Sequence, residues 1–209
     1  MKSYLVSTPK LIQRIFPKRV WHLPNTKNEV YLSFDDGPIP EITPWVLDTL
    51  RSYNAKATFF CIGDNVRKYH ALFNRISSEG HAVGNHTFHH LNGWKTSTRN
   101  YLSDVSDASE AMENITQFFR PPYGKLKSKH SKILQKQGYK IIMWDVLSAD
   151  FDASVSPEQC LQNVLKHIQA GSIVVFHDSL KAEKNLRYSL PKVLQYISAK
   201  GWKCRPIYN

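Results

Sequence analysis

Apolar and polar residues alternate along this chain with two periods. Short apolar runs occupy Val30 to Phe34, Ala57 to Cys61, His81 to Gly84, Phe118 to Phe119, Tyr139 to Val146, Ser172 to Phe176 and Trp202 to Ile207. They are rich in the β-branched and aromatic residues that suit strands. Between them lie amphipathic stretches at Glu41 to Tyr53, Val66 to Ser78, Thr98 to Phe118, Ser128 to Gln137, Pro157 to Gln169 and Asn185 to Ala199. Val46, Leu47 and Leu50 share one side of the first stretch, and Leu102, Val105, Ala108 and Met112 share one side of the third. Gly80 is a stop signal for the second helix, and Ser156 with Pro157 supplies an N-cap and first-turn pair for the fifth. About seven strand–helix units result, and this order implies parallel strands with helices outside. The pattern predicts a small or incomplete βα-barrel in one domain, with its chemistry at the C-terminal ends of the strands.

Composition changes this picture little. Of 209 residues, 42% are hydrophobic and 12% aromatic, enough for a core, which excludes a disordered chain. Nine Gly and eleven Pro without a period exclude collagen-like or low-complexity architecture. No apolar run reaches membrane-spanning length. The first 24 residues lack the apolar core and cleavage site of a signal peptide, so the default location is the cytoplasm. In that stretch Leu11, Ile12, Ile15 and Phe16 predict one face of a short helix that packs on the domain. Cys61, Cys160 and Cys204 are an odd number at wide spacing, which predicts buried free thiols rather than a disulfide framework. The net charge of +11 admits a polyanionic partner, and equally a solvated lysine-rich surface.

The chemically unusual residues fall just after the strands. Asp35 and Asp36 follow the first, His86, His89 and His90 the third, and Arg120 to Gly124 the fourth. Asp145 and Asp150 come with the fifth, and His177 with Asp178 after the sixth. His86 and His90 are four residues apart, so one helical turn would bring both to one cation, with His89 as a rival ligand. The second position is Thr87 rather than Glu, which excludes the metalloprotease motif. Asp36 can add an oxygen ligand, and two His with one Asp leave an open coordination position, the layout of a catalytic metal site. Two adjacent carboxylates are costly unless a cation or Arg compensates, so one can bind metal while the other serves as a base.

Five motifs stand in order: Ser33 to Asp36, His86 with His90, Arg120 to Tyr123, Asp150 with Phe151, and Val175 to His177. Together they resemble the NodB-type polysaccharide deacetylases, carbohydrate esterase family 4, over residues 29 to 205. The resemblance implies a distorted (β/α)7 barrel that removes acetyl groups from sugars, usually N-acetylglucosamine, in a metal-dependent reaction. It makes residues 29–209 the catalytic domain and residues 1–28 an extension packed on it. It implies Asp36, His86 and His90 as ligands of zinc, with cobalt or nickel as substitutes. Asp35 becomes the general base, Arg120 its partner, His177 the general acid and Asp150 the group that tunes it. The backbone N–H of Tyr123 joins the oxyanion site, and Phe151 and Val175 wall the acetyl-methyl pocket.

Several positions depart from the family. Phe151 stands where Trp is common, Val175 where Leu is usual, and Leu147 where an acid often precedes Asp150. These changes bear on substrate choice more than on activity. Trp94 is a candidate sugar-stacking residue or a rim aromatic. Lys125, Lys127, Lys129 and Lys132 are expected near the same rim, as a solvated face or as an attraction for an anionic glycan. They lack the interleaved aromatics of single-stranded nucleic-acid binders. The expected partner is therefore a glycan containing N-acetylglucosamine, with no nucleic acid, no transmembrane segment and a monomeric protein. An O-acetyl (acetylxylan-type) esterase of the same fold is the alternative. A non-catalytic glycan-binding relative should have lost Asp35, a ligand or His177, and all are present. An extracytoplasmic or membrane-associated location also fits a glycan substrate.

Overall fold

A computed structural model describes residues 4–24 and 27–208. Residues 1–3, 25 and 26 of the expected extension lie outside the described residues. The strands are β1 (Glu29–Asp35), β2 (Thr58–Cys61), β3 (Ala82–Asn85), β4 (Phe118–Phe119), β5 (Lys140–Ile141), β6 (Val146–Leu147), β7 (Ile173–His177) and β8 (Lys203–Cys204). They pair in the order β5-β4-β3-β2-β1-β7-β6, with β8 added to β1. Every ladder between them is parallel. The helices are α1 (Lys10–Ile15), α2 (Thr43–Ser52), α3 (Gly63–Lys68), α4 (His70–Ser78), α5 (Thr98–Ala111), α6 (Ser128–Lys136), α7 (Pro157–Leu165) and α8 (Glu183–Ala199).

The period-two alternation of each strand sorts its side chains between two layers. On β1, Val30, Leu32 and Phe34 pack with Val46, Leu47 and Leu50 of α2 in the outer core. Tyr31 turns the other way, into an inner cluster with Phe60, Phe118, Ile142 and Ile173. Strand β7 repeats this division, with Val174 and Phe176 in the outer core and Ile173 inside. The register pairs Ser33 with Val175 and Asp35 with His177. Residues of one parity on β1 and β7 thus meet at the barrel's inner face, and the last pair carries a carboxylate and an imidazole.

The expected strand Tyr139 to Val146 is broken. Its first part, β5, pairs with β4, and its continuation β6 pairs with β7. The break is filled from the N-terminal side of the chain. Met143 N–H donates to Val20 O and Val20 N–H to Ile141 O, while Leu147 N–H donates to Val6 O and Thr8 N–H to Asp145 O. Isolated bridges pair Val20 with Ile142 and Ser7 with Val146. Hydrophobic pattern alone reads the mostly apolar run Tyr139 to Val146 as one strand, because it does not show which neighbour each half bonds.

Helix ends also differ. The stretch from Val66 to Ser78 is two helices, divided at Tyr69, whose ψ of 46° leaves the helical region. Helix α5 stops at Ala111, because Glu113 and Asn114 take positive φ. Helix α7 starts where expected: Ser156 accepts from Gln159 N–H, Pro157 fills the first turn, and the helix ends at Leu165. On α1, Ile12 and Phe16 beyond its end pack on the core, whereas Leu11 and Ile15 are exposed. Only half of that expected face therefore docks. All three cysteines are free and buried.

Candidate active site

Asp35 and His177 end strands, and Asp36, His86, His90, Arg120, Tyr123 and Asp150 lie in the segments that follow strands. Asp35 ends β1, and Asp36 next to it takes a φ of 80°. Gly37 follows because a side chain cannot: a Cβ there would lie 2.0 Å from Asp178 Oδ2. Asp178 is fully buried and accepts from Gly37 N–H at 3.1 Å and Thr43 Oγ1 at 2.6 Å, so it pins the turn to α2. Burial pushes its carboxyl up to about 8.

The two histidines meet by a route other than a helical turn. His86 to His90 lie in a loop after β3, in which Thr87 (φ 64°) and His90 (φ 55°) are left-handed. A β-branched residue in that conformation is strained, and it is held from several sides. Thr87 N–H donates to Asn85 Oδ1, and Thr87 Oγ1 accepts from Leu91 N–H. The loop places His86 Nε2 at 3.8 Å and His90 Nε2 at 3.2 Å from Asp36 Oδ1. His89 points elsewhere, with its Nδ1 on Asp104 Oδ1 at 2.6 Å. The rival ligand therefore lies outside the cluster.

Asp36, His86 and His90 form a group whose ligand atoms lie within 4.8 Å of one another. The donor set fits a cation. His86 Nδ1 is 2.7 Å from the carbonyl oxygen of Arg120, which only accepts, so Nδ1 carries the proton and Nε2 is left as a lone pair facing the cluster. Burial pushes the His86 imidazole down to about 4, which keeps it in the neutral, ligating form. Asp36 Oδ1 is buried without a hydrogen-bond partner among the described residues, a costly condition that a cation would relieve. His90 Nδ1 lies 3.1 Å from Tyr123 Oη, and the two rings are 4.6 Å apart.

Beside this cluster lie two further pairs. Arg120 is fully buried and donates from Nη1 to Asp35 Oδ1 at 2.7 Å and to Ser33 Oγ at 2.8 Å. Its Nε and Nη2 donate to the carbonyls of Ile142 and Met143, which the break between β5 and β6 leaves available. The guanidinium also stacks 3.9 Å above the Phe60 ring. Opposite, His177 Nδ1 is 2.8 Å from Asp150 Oδ1, and the His177 N–H donates to Asp150 Oδ2 at 2.7 Å. Asp150 thus grips the ring and the backbone of one residue, leaving Nε2 toward the cleft. Burial works against the imidazolium, but the Asp150 carboxylate outweighs it and pushes His177 up to about 9.

The cluster and the two pairs converge on one cleft of about 200 Å³. Asp35, Asp36, His86, His90, Tyr123 and His177 line it together with Leu147, Phe151 and Val175. Arg120 and Asp150 stand behind Asp35 and His177. Tyr123 has a φ of 59° and an exposed side chain at the lip.

Other sequence candidates are placed elsewhere. Asp145 is not on this rim. Its carboxylate accepts from Ser172 Oγ and Ile173 N–H at the start of β7, the end opposite His177. Trp94 is exposed and borders a neighbouring groove with Leu126 and Lys127. Of the lysine cluster only Lys125 reaches the cleft. Lys127 donates to Thr96 O, and Lys129 and Lys132 are exposed on α6. Three cleft residues, Trp144, Lys181 and Tyr4, carry no signal in the sequence. Lys181, after β7, holds its Nζ 3.1 Å from Asp36 Oδ2, and Tyr4 lines the far wall.

Comparison with known proteins gives the same direction. Residues 22–142 match the family model for polysaccharide deacetylases. The chain is 33% identical over 187 residues to a peptidoglycan-N-acetylglucosamine deacetylase of Bacillus cereus, covering 88% of each. It is 29% identical over 197 residues to a chitooligosaccharide deacetylase of Azorhizobium caulinodans, covering 87% of this chain and 93% of that one. The crystal structure of a peptidoglycan N-acetylglucosamine deacetylase in complex with an N-oxidanyl-benzamide superposes with a TM-score of 0.87 at 31% identity. That match covers 96% of this chain and 95% of the other. Fold and site define a hydrolase barrel with a candidate metal centre at its rim. The chain belongs to the polysaccharide deacetylase family.

Proposed function

We propose that the protein is a zinc-dependent hydrolase that removes acetyl groups from N-acetylglucosamine residues of a peptidoglycan- or chitin-like glycan, with cobalt or nickel as substitutes. One observation carries the reading. A candidate three-ligand cluster, Asp35 backed by Arg120, and His177 backed by Asp150 face a single cleft. Amide hydrolysis needs a nucleophile, a site for the oxyanion and a proton for the departing amine.

Asp36, His86 and His90 hold the cation. When bound it supplies a Lewis acid that polarises the carbonyl and makes water a usable nucleophile near neutral pH. Asp35 takes the proton of the attacking water, and Arg120 fixes the carboxylate that does so. The Tyr123 N–H donates to the carbonyl oxygen as charge builds on it, a contribution of about 3 kcal/mol for one such donor. His177 delivers a proton from Nε2 to the leaving nitrogen, and Asp150 keeps that proton available. Phe151 and Val175 enclose the acetyl methyl. All these groups come from one chain, so a monomer suffices.

The test is acetyl loss followed by mass spectrometry on chitooligosaccharides, peptidoglycan fragments and acetylxylan. Chelator should abolish it, zinc or cobalt should restore it, and Asp36→Ala should lower it at least about 10²-fold, as removal of a preorganised electrostatic group does. Full activity of Asp36→Ala would sink the proposal, and turnover of acetylxylan alone would move it to the O-acetyl esterases.

A further inference from the structure

One wall of the cleft contains a residue that belongs to no motif. Tyr4 lies far from the motifs in sequence and outside the residues matched by the family model. Yet it borders the cleft with Leu147, Phe151, Val175 and His177. Its ring meets that of Phe151 edge-on at 5.4 Å, and Phe151 meets His177 edge-on at 4.9 Å. A continuous aromatic row therefore runs from Tyr4 to the imidazole.

Tyr4 is also held in place. Its hydroxyl donates to Asp152 Oδ2 at 2.5 Å, a contact across 148 residues. Two residues later Val6 O accepts from Leu147 N–H at 2.8 Å, and Thr8 is bonded through its N–H to Asp145 O and through Oγ1 to Trp144 O. The backbone carrying Tyr4 is thus stitched to β6. A ring fixed at its hydroxyl and its backbone loses little entropy when a ligand packs on it. An aromatic face next to a proton-donating imidazole suits the apolar C–H face of a pyranose, with the ring edge left for polar groups.

We propose that Tyr4 is a specificity-determining residue that forms, with Phe151, the aromatic wall against which the acetylated sugar packs. The segment before the family-matched region is then a working part of the cleft. This inference rests on the cleft being a glycan site, and it names which residues grip the sugar there. The variants are Tyr4→Ala and Tyr4→Phe in the full chain loaded with zinc. The measurements are KM and kcat on chitotetraose, and direct binding of chitotetraose by saturation-transfer NMR.

Tyr4→Ala should raise KM about three- to tenfold while kcat changes less than about twofold, the range for an aromatic contact. Tyr4→Phe keeps the ring and should recover most of KM. Unchanged KM in Tyr4→Ala would overturn the proposal. So would equal losses in Tyr4→Ala and Tyr4→Phe with a lowered Tm, which would make Tyr4 a structural brace through Asp152. Binding separates the two readings. If chitotetraose binds to the wild type, weakens on Tyr4→Ala and is never deacetylated, the sugar wall stands and the deacetylase reading falls.

Discussion

The wall of the cleft built by the turns after β1, β3 and β4 differs in kind from the wall built by β6, β7 and the segment around Tyr4. The first wall holds Asp36, His86, His90 and Tyr123. Its ladders are regular, and its precision comes from tight local turns in which Asp36, Thr87, His90 and Tyr123 all take positive φ. The second wall holds Asp150, Phe151, Val175 and His177. Its geometry comes from contacts remote in sequence: Asp150 to His177, Tyr4 to Asp152, Val6 to Leu147. Local strain dominates the first wall, whereas the second has one left-handed residue, Ala149, and is otherwise shaped by assembly. Arg120 joins them, since its guanidinium reaches Asp35 on β1 and the carbonyls of Ile142 and Met143 in the strand break.

That joint should show the largest effect. Arg120→Met leaves Asp35 buried without its partner and frees two carbonyls. We expect a loss of about 3–5 kcal/mol, the cost of removing one member of a buried pair. In a protein of this size it should appear as a fall in Tm on the order of 10 °C. A loss below about 1 kcal/mol, read by urea unfolding, would mean that the walls stand independently. Next, Asp150→Asn tests the assembled wall alone. Asp150 raises the His177 pKa, so its charge extends the protonated acid toward higher pH. Removing that charge should move the alkaline limb of kcat/KM down by about 1–3 pH units. An unmoved limb would assign the acid to another group. The smallest effect is expected in the first wall. Tyr123→Phe removes the hydroxyl at His90 Nδ1 and should weaken zinc affinity roughly tenfold in chelator competition, as loss of an outer partner does. No change would show that His90 is oriented by its loop alone.

Much of the first wall was legible in the sequence. Carboxylates at the end of a period-two run, with Gly37 after them, announced a strand end and a turn. The spacing of His86 and His90 announced that they share one candidate metal cluster, although a left-handed loop and not a helical turn brings them together. Positive φ at Thr87 carries no signal in residue type, since β-branched residues normally avoid it. The second wall was half legible. His177 and Asp150 stood at strand ends, but so did Asp145, which lies at the other end of β7. An apolar run that changes neighbours midway hides which of its flanking acids reaches the rim. Lys181 and Tyr4 were not legible, because nothing local separates one lysine in a chain of +11 charge, or one tyrosine among ten, from the rest.

The sequence by itself determined which groups exist and in what order they follow the strands, because alternation and helical spacing are local and each residue's chemistry is its own. Tertiary structure decided which of them share the cleft. Distance in space is set by register, by the pairing of Asp35 with His177 across β1 and β7, and by the segment that fills the break between β5 and β6. These are contacts between parts of the chain remote in sequence, and their selection is a property of the whole packed barrel.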